Sequence, residues 1–153
     1  MKASVKLKGL RAALKALEQL GSKSEVGLSA VKATAKAGVF LRDKAKSRAY
    51  VAQAPYKVYY QGRLVTLTPG SLGDQLIVKR MTKSESKGYG ATAMHVVTVR
   101  QKNDAAANIG KISNIYEARH PFIRPTAQAD GPKAQKIAIK SLIEDVRRKG
   151  RVF

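Results

Sequence analysis

Cysteine is absent from this chain, and histidine occurs only twice, as His95 and His120. The first absence excludes disulfide frameworks, thiolate zinc sites and cysteine nucleophiles. The second excludes a metal held by three histidines. Long apolar runs are missing too: the longest are about four residues, against the roughly 20 needed to span a bilayer. At the N-terminus the lysines are interleaved with leucines, and no uninterrupted apolar stretch follows a basic one. That pattern argues against a secretory signal there. Acidic residues are scarce, with ten Asp and Glu set against 30 Lys and Arg.

What is present is enough for one ordinary domain spanning residues 1–153. With 153 residues and 44% hydrophobic content, the chain is too apolar for a disordered tail. The formal net charge is +20. It is spread along the chain: residues 1–50 carry +9, residues 51–125 carry +7, and residues 126–153 carry +4. Such a balance implies a polyanionic environment, an acidic protein partner, or both.

A narrow leucine stripe, Leu7, Leu10, Leu14, Leu17 and Leu20, predicts a helix over residues 10–20 that Gly21 stops. A longer helix is expected over residues 25–50, with Ser24 as its cap and Glu25 at the positive end of its dipole. Its apolar positions are mostly small: Ala30, Ala33, Ala35, Ala37, Gly38, Ala45 and Ala49. Leu28, Val31, Val39, Phe40 and Leu41 are the larger anchors. A helix of this kind approaches its neighbours closely, within the subunit or across a subunit contact. Lys32 and Lys36 are four apart and share a face, as do Lys44 and Arg48. A solvated face and a docking face read alike at this point.

After Pro55 the texture changes. Residues 56–60 and 64–68 are aromatic and β-branched, with Gln61-Gly62 as a turn between them. Residues 76–81 read as a strand, and 82–90 as a polar run. Residues 92–100 form the strongest strand pattern, apolar on both faces and therefore central or sandwiched. Residues 101–114 look like a mobile loop. A last helix is expected over residues 131–149, with Ile137, Ile139, Leu142, Ile143 and Val146 on its apolar side. The order predicts an α+β fold, with N-terminal helices and a C-terminal helix packed on a small, mostly antiparallel β-sheet built from residues 56–100.

Between loop and helix lies a compact block, Ala118-Arg119-His120-Pro121-Phe122-Ile123-Arg124-Pro125, preceded by Glu117. Two prolines four apart argue against a continuous helix and for an extended segment. Phe122 and Ile123 would then point in different directions, one into the core and one to a neighbour. Arg119 and Arg124 flank them as permanently charged donors. The plainer alternative makes Phe122 a core plug and the arginines surface charge.

Catalysis has little to work with. General acid–base chemistry needs a histidine or paired carboxylates held together, and the acids here are scattered. Glu144 and Asp145 are adjacent and face different sides of a helix. His95 reads as a satisfied core or interface histidine, and His120 as a turn residue. Gly88-Tyr89-Gly90 lacks the third glycine and the lysine of a phosphate loop. No catalytic residue, metal ligand or cofactor is expected. A basic nucleic-acid-binding protein of the ribosomal or chromatin-associated type is the rival reading. The charge invites it, and Tyr56, Tyr59 and Tyr60 beside Lys57 and Arg63 could stack bases.

With these residues in this order, the chain resembles the tail-completion proteins of long-tailed double-stranded DNA bacteriophages, of the minor tail protein Z type. Three segments carry the likeness: Val5-Lys6-Leu7-Lys8-Gly9-Leu10 with the leucine-striped helix, Gly70-Ser71-Leu72-Gly73-Asp74-Gln75-Leu76 before a strand, and the Ala118–Pro125 block. The last is similar to the family's Ala-Arg-Pro-Phe-Leu-Arg-Pro signature. The chain departs from it where His120 separates Arg119 from Pro121, and where Glu117 abuts the motif. Gly62-Arg63-Leu64 competes for the middle motif.

The resemblance implies a structural virion protein of the neck, made in the host bacterial cytoplasm. It implies a subunit that closes into a ring between capsid connector and tail tube, around the DNA channel. A hexamer is favoured and a dodecamer is the other symmetric count. Connector, stopper, tail-terminator and tail-tube proteins are the implied neighbours, with non-specific contact to genomic DNA and no membrane. A ring subunit needs two different patches, one for each neighbour. The candidate assembly interface comprises Arg119, Phe122, Ile123, Arg124, Glu117, Lys32 and Lys36.

Overall fold

The computed structural model describes residues 23–60, 63–89, 93–100, 117 and 120–150. The expected helix over residues 10–20, the loop over 101–114, the Gln61-Gly62 turn and Arg119 lie outside these residues. So do the side chains of Ser24 and Glu25. The fold is α+β. Helix α1 (Lys23–Arg48) is followed by strands β1 (Tyr56–Tyr60) and β2 (Arg63–Leu67), a helical turn α2 (Ser71–Asp74), strand β3 (Leu76–Arg80), helix α3 (Lys83–Gly88), strand β4 (His95–Val99) and helix α4 (Ile123–Gly150).

The two long helices make the body of the structure. Along α1 the buried line is Ala30, Ala33, Ala37, Leu41 and Ala45, continuing into Ala49 just past its end. These steps of three and four residues keep one face against a partner. The partner is α4, whose buried line is Ile123, Thr126, Asp130, Ala134, Ala138, Ser141 and Leu142, with Phe122 buried just ahead of its first residue. The helices run antiparallel. Ser29 near the start of α1 donates to Asp145 near the end of α4 at 2.6 Å, while Arg48 at the end of α1 pairs with Asp130 near the start of α4. Small side chains on both lines let the axes come close, so backbone-near atoms supply the dispersion contact. Phe122 and Leu142 are the large plugs, both fully buried.

Three expectations about these helices need correction. The larger residues of α1 are not all anchors: Leu28 is 58% exposed and Val39 40%. The alanine line, not the bulky one, is interior. On α4, Leu142 is buried as expected, but Ile143 is 39% exposed and Ile137, Ile139 and Val146 are half-buried. Close approach through Ala134 and Ala138 rotates the isoleucines to the flanks. Finally, α4 starts at Ile123 and not at residue 131, and it passes through Pro125 and Pro132. Pro125 is the third residue of the helix, where no backbone N–H is needed for the ladder. Pro132 lies inside the helix, exposed, and forgoes one ladder bond. The extended segment expected across Pro121 and Pro125 is therefore a helix entry.

Strands β3 and β4 pair antiparallel as expected, from Leu76↔Val99 to Arg80↔His95. They lie on α1 where Gly38 leaves room: a Cβ there would stand 2.7 Å from Cγ1 of Val78. Val97, Val99 and Leu76 join Ala37, Leu41 and Phe122 in one core cluster. β1 and β2 form the expected hairpin, with Tyr59 opposite Leu64. Among the described residues, however, the hairpin is a separate two-stranded sheet and not part of a single small sheet. One of its faces, Lys57, Tyr59, Leu64 and Thr66, is exposed.

The polar run after β3 contains α3, held by a capping box. Glu85 N–H donates to the Thr82 hydroxyl at 3.2 Å, and Thr82 N–H donates to the Glu85 carboxylate at 2.9 Å. Gly70 (φ 79°) leads into α2 in the left-handed region that glycine tolerates best.

Candidate functional site

The corner at the start of α4 is built around one carboxylate. Glu117 is buried, and its Oε2 accepts the backbone N–H groups of Phe122 and Ile123, both at 3.0 Å. Its Oε1 accepts the N–H of Arg124 at 3.1 Å. These are orphan donors of the first helical turn, and a negative charge there also complements the helix dipole. Glu117 thus does from a distance what a capping side chain normally does from the adjacent position. The Thr126 hydroxyl donates back to the Phe122 carbonyl at 2.6 Å and also receives Arg48 Nη1 at 3.1 Å. On the outside of the corner, His120 stacks on Tyr50 with ring centroids 4.9 Å apart.

This geometry separates the candidate interface residues. Phe122 and Ile123 do not diverge into core and neighbour, because both are buried, at 0% and 6% exposure. They belong to the core that joins α1, α4 and β4. Glu117 is also interior. Arg124 is exposed in the first turn of α4. Lys32 and Lys36 are exposed on the face of α1 opposite its alanines. Lys44 and Arg48 align instead on the α4 side. Lys44 sits 5.9 Å from the centroid of the Phe40 ring, and Arg48 binds Asp130.

Two groups have shifted acidity. The hydrogen bond from Arg48 holds the Asp130 carboxyl below the usual carboxylate value. Burial opposes that shift, and the charges of Arg48, Lys133 and Lys44 add to it. Burial lowers the pKa of His95, and the charge of Arg80, its cross-strand neighbour, lowers it further. Nδ1 of His95 lies 3.0 Å from the Thr34 hydroxyl, which also reaches the Ala30 carbonyl at 2.9 Å. His95 is therefore a partnered histidine between α1 and the β3–β4 sheet, as its strand position suggested.

Sequence reasoning placed Glu117 in the candidate interface and missed its capping role, as it missed the Arg48–Asp130 and Tyr50–His120 contacts. The last two join residues that only the α1–α4 pairing brings together. Glu117 caps from five to seven residues before its donors, outside the adjacent position where a local cap signal is read. The α3 helix had a local signal, Thr82 with Glu85 three residues on. Among the described residues, no group of three or more His, Asp or Glu side chains could hold a metal. No helix among them is long and apolar enough to cross a membrane. Comparison with protein-family models, with curated proteins and with solved structures finds no match to this chain.

Proposed function

We propose that this protein is a non-enzymatic structural subunit of a phage neck, forming a ring that completes the tail and joins it to the capsid connector. The observation that carries the reading is the corner at the start of α4. There the residues resembling the family signature form one built unit, with the buried Glu117 collecting the N–H groups of Phe122, Ile123 and Arg124. A corner so braced presents Arg124 from a rigid helix end, which suits a docking contact whose geometry must repeat around a ring. Lys32 and Lys36, on the far side of the helix pair, offer the second patch. Leu28 and Val39 beside them add exposed apolar surface to that face. Phe122 and Ile123 support the interface from inside and do not touch the neighbour.

The test is the mass of the purified full chain in moderate salt, alone and with tail-tube or connector protein of the same phage. A closed ring, hexameric in the favoured case, is expected alone or on addition of the partner. A chain that stays monomeric with every neck and tail protein, yet binds one DNA or RNA sequence selectively in high salt, would instead be a nucleic-acid reader.

A further inference from the structure

We propose that the outward face of α4 is a contact surface for the phosphate backbone of duplex DNA, and that the outward face of α1 is not. The choice of duplex DNA as the polyanion rests on the neck reading above; the assignment of the face rests on how α4 distributes its charge.

The helix sorts its charged residues by side. Asp130 is 4% exposed and turned to α1, where Arg48 holds it. The Asp145 side chain is 11% exposed and accepts from Ser29 of α1. On the opposite side, Lys133, Lys136, Lys140 and Arg147 are all exposed. At about 100° per residue they fall within a fan of roughly 60°. Glu144 is the one acid near this row, and it lies 3.9 Å from Lys140 in a pair whose side chains are 80% and 58% exposed. Among the described residues Lys136 and Arg147 have no carboxylate partner. On α1, Arg42, Lys46 and Arg48 are paired with Asp43, Asp74 and Asp130. Among the described residues this leaves only Lys32 and Lys36 as exposed cations of its outward face, against four in the α4 row.

Like charges three and four apart, as Lys133, Lys136 and Lys140 are, are unfavourable for a helix left in water. A polyanion laid along it removes that repulsion. From Lys133 to Arg147 the helix rises about 21 Å, close to the axial length of six base pairs. Three of the four cations are lysines, which act as point charges and not as planar forks for base edges. The row contains no Asn or Gln side chain and no aromatic ring to read or stack on a base. It is suited to charge without sequence. The α1 outward face has fewer cations and more exposed apolar surface, a mixture that suits a protein surface. Leu28 at 58% and Val39 at 40% exposure stand there beside Lys32 and Lys36, whereas among the described large hydrophobic residues Ile143 alone flanks the α4 row exposed.

The experiment measures binding of the full chain to a short mixed-sequence duplex across a range of salt. One variant carries Lys133→Gln, Lys136→Gln and Lys140→Gln. A charge-matched control carries Lys79→Gln, Lys83→Gln and Lys87→Gln, all exposed positions outside both proposed surfaces. Lys32→Gln with Lys36→Gln is measured separately for the α1 face, with its ring state scored alongside. Glutamine keeps helix propensity, and circular dichroism verifies folding. Arg147→Gln alone serves as a second, milder probe. The α4 variant is expected to lower the slope of log K against log salt by about 2.7, and Arg147→Gln by about 0.9. The control is expected to keep the wild-type slope.

The proposal is overturned if the control loses as much slope as the α4 variant, or if the α4 variants bind as wild type. It is equally overturned if the α4 variant keeps its DNA binding and loses binding to polyglutamate, which would make the face a dock for an acidic protein. Ring formation is scored separately by mass. Wild-type protein that shows the α4-dependent slope and never forms a ring leaves this assignment standing and removes the neck reading. A ring-forming protein without the slope does the reverse.

Discussion

Oε2 of Glu117 stands 3.0 Å from the backbone nitrogen of Phe122, across a gap of five residues in sequence. One buried side chain thereby places the largest fully buried residue of the core and starts the longest helix described. Replacing Glu117 with Ala leaves three N–H groups of the first turn without their acceptor, two of them on buried residues. The expected loss is about 2–4 kcal/mol of unfolding free energy, read by urea denaturation. Glu117→Gln keeps one carbonyl acceptor and should lose less. Equal stability of Glu117→Ala and wild type would show that water replaces the carboxylate at no cost.

Phe122 and Arg124 should separate folding from assembly. Phe122→Ala removes a fully buried ring and should cost about 3–5 kcal/mol, seen as a lower melting temperature of the isolated subunit. Arg124→Glu alters an exposed first-turn residue, where a negative charge suits the helix dipole, so stability should stay within about 0.5 kcal/mol of wild type. It should nevertheless weaken ring formation or the yield of tailed particles. Normal particles from Arg124→Glu would remove this residue from the joining surface.

Two glycines of α1 should respond with opposite signs. A Cβ on Gly27 meets nothing within 4 Å, so Gly27→Ala should stabilise the protein by up to about 1 kcal/mol through helix propensity. At Gly38 the same methyl would stand 2.7 Å from Val78 Cγ1 and 3.5 Å from His95 Cβ. Overpacking there costs about 1–3 kcal/mol and outweighs the propensity gain. Thermal melting of the pair decides it. A stabilised Gly38→Ala would mean that the β3–β4 sheet shifts off α1 freely.

His95 should make stability depend on pH on the acid side of neutrality. Burial, and then the charge of Arg80, hold its folded-state pKa below the ordinary imidazole value of about 6.5. Between the folded and unfolded values the unfolded chain binds more protons, so stability rises with pH through that window. The contribution is fully present above about 6.5 and is lost as the pH falls through the folded value. Melting temperatures across this range should fall towards acid in the wild type and fall less in His95→Gln. Identical slopes for the two proteins would assign the acid sensitivity to other groups, with Asp130 acting only at lower pH.

The local sequence determined which segments become helix or strand and where most of them lie. Small residues repeating at three and four mark α1. β-branched and aromatic runs on either side of Gln61-Gly62 mark the hairpin, because turns and periodicity act over a few residues. By contrast, α3 lies inside a stretch that reads only as a polar run, its Thr82–Glu85 cap signal unused. The antiparallel partnership of β3 and β4 followed from the same texture. Tertiary structure alone decided where α4 begins, since prolines at 121 and 125 read locally as breakers. Pro125 is tolerated because first-turn N–H groups need no ladder partner, and Glu117 satisfies the neighbouring ones from outside the helix.

Tertiary structure also decided which faces are buried. Hydrophobicity favoured Leu28 and Val39 on α1 and the isoleucines on α4, yet close packing put Ala33, Ala37, Ala134 and Ala138 between the helices. Two helices approach closely only through small side chains, and that choice is made by the pair, not by either strand of sequence. The same rotation carried Phe122 and Ile123 inward and left Arg124 outside. It turned Asp130 and Asp145 towards α1 and the lysines of α4 towards solvent. Net charge is a property of composition; its division between two opposite faces is a property of the packed helix pair.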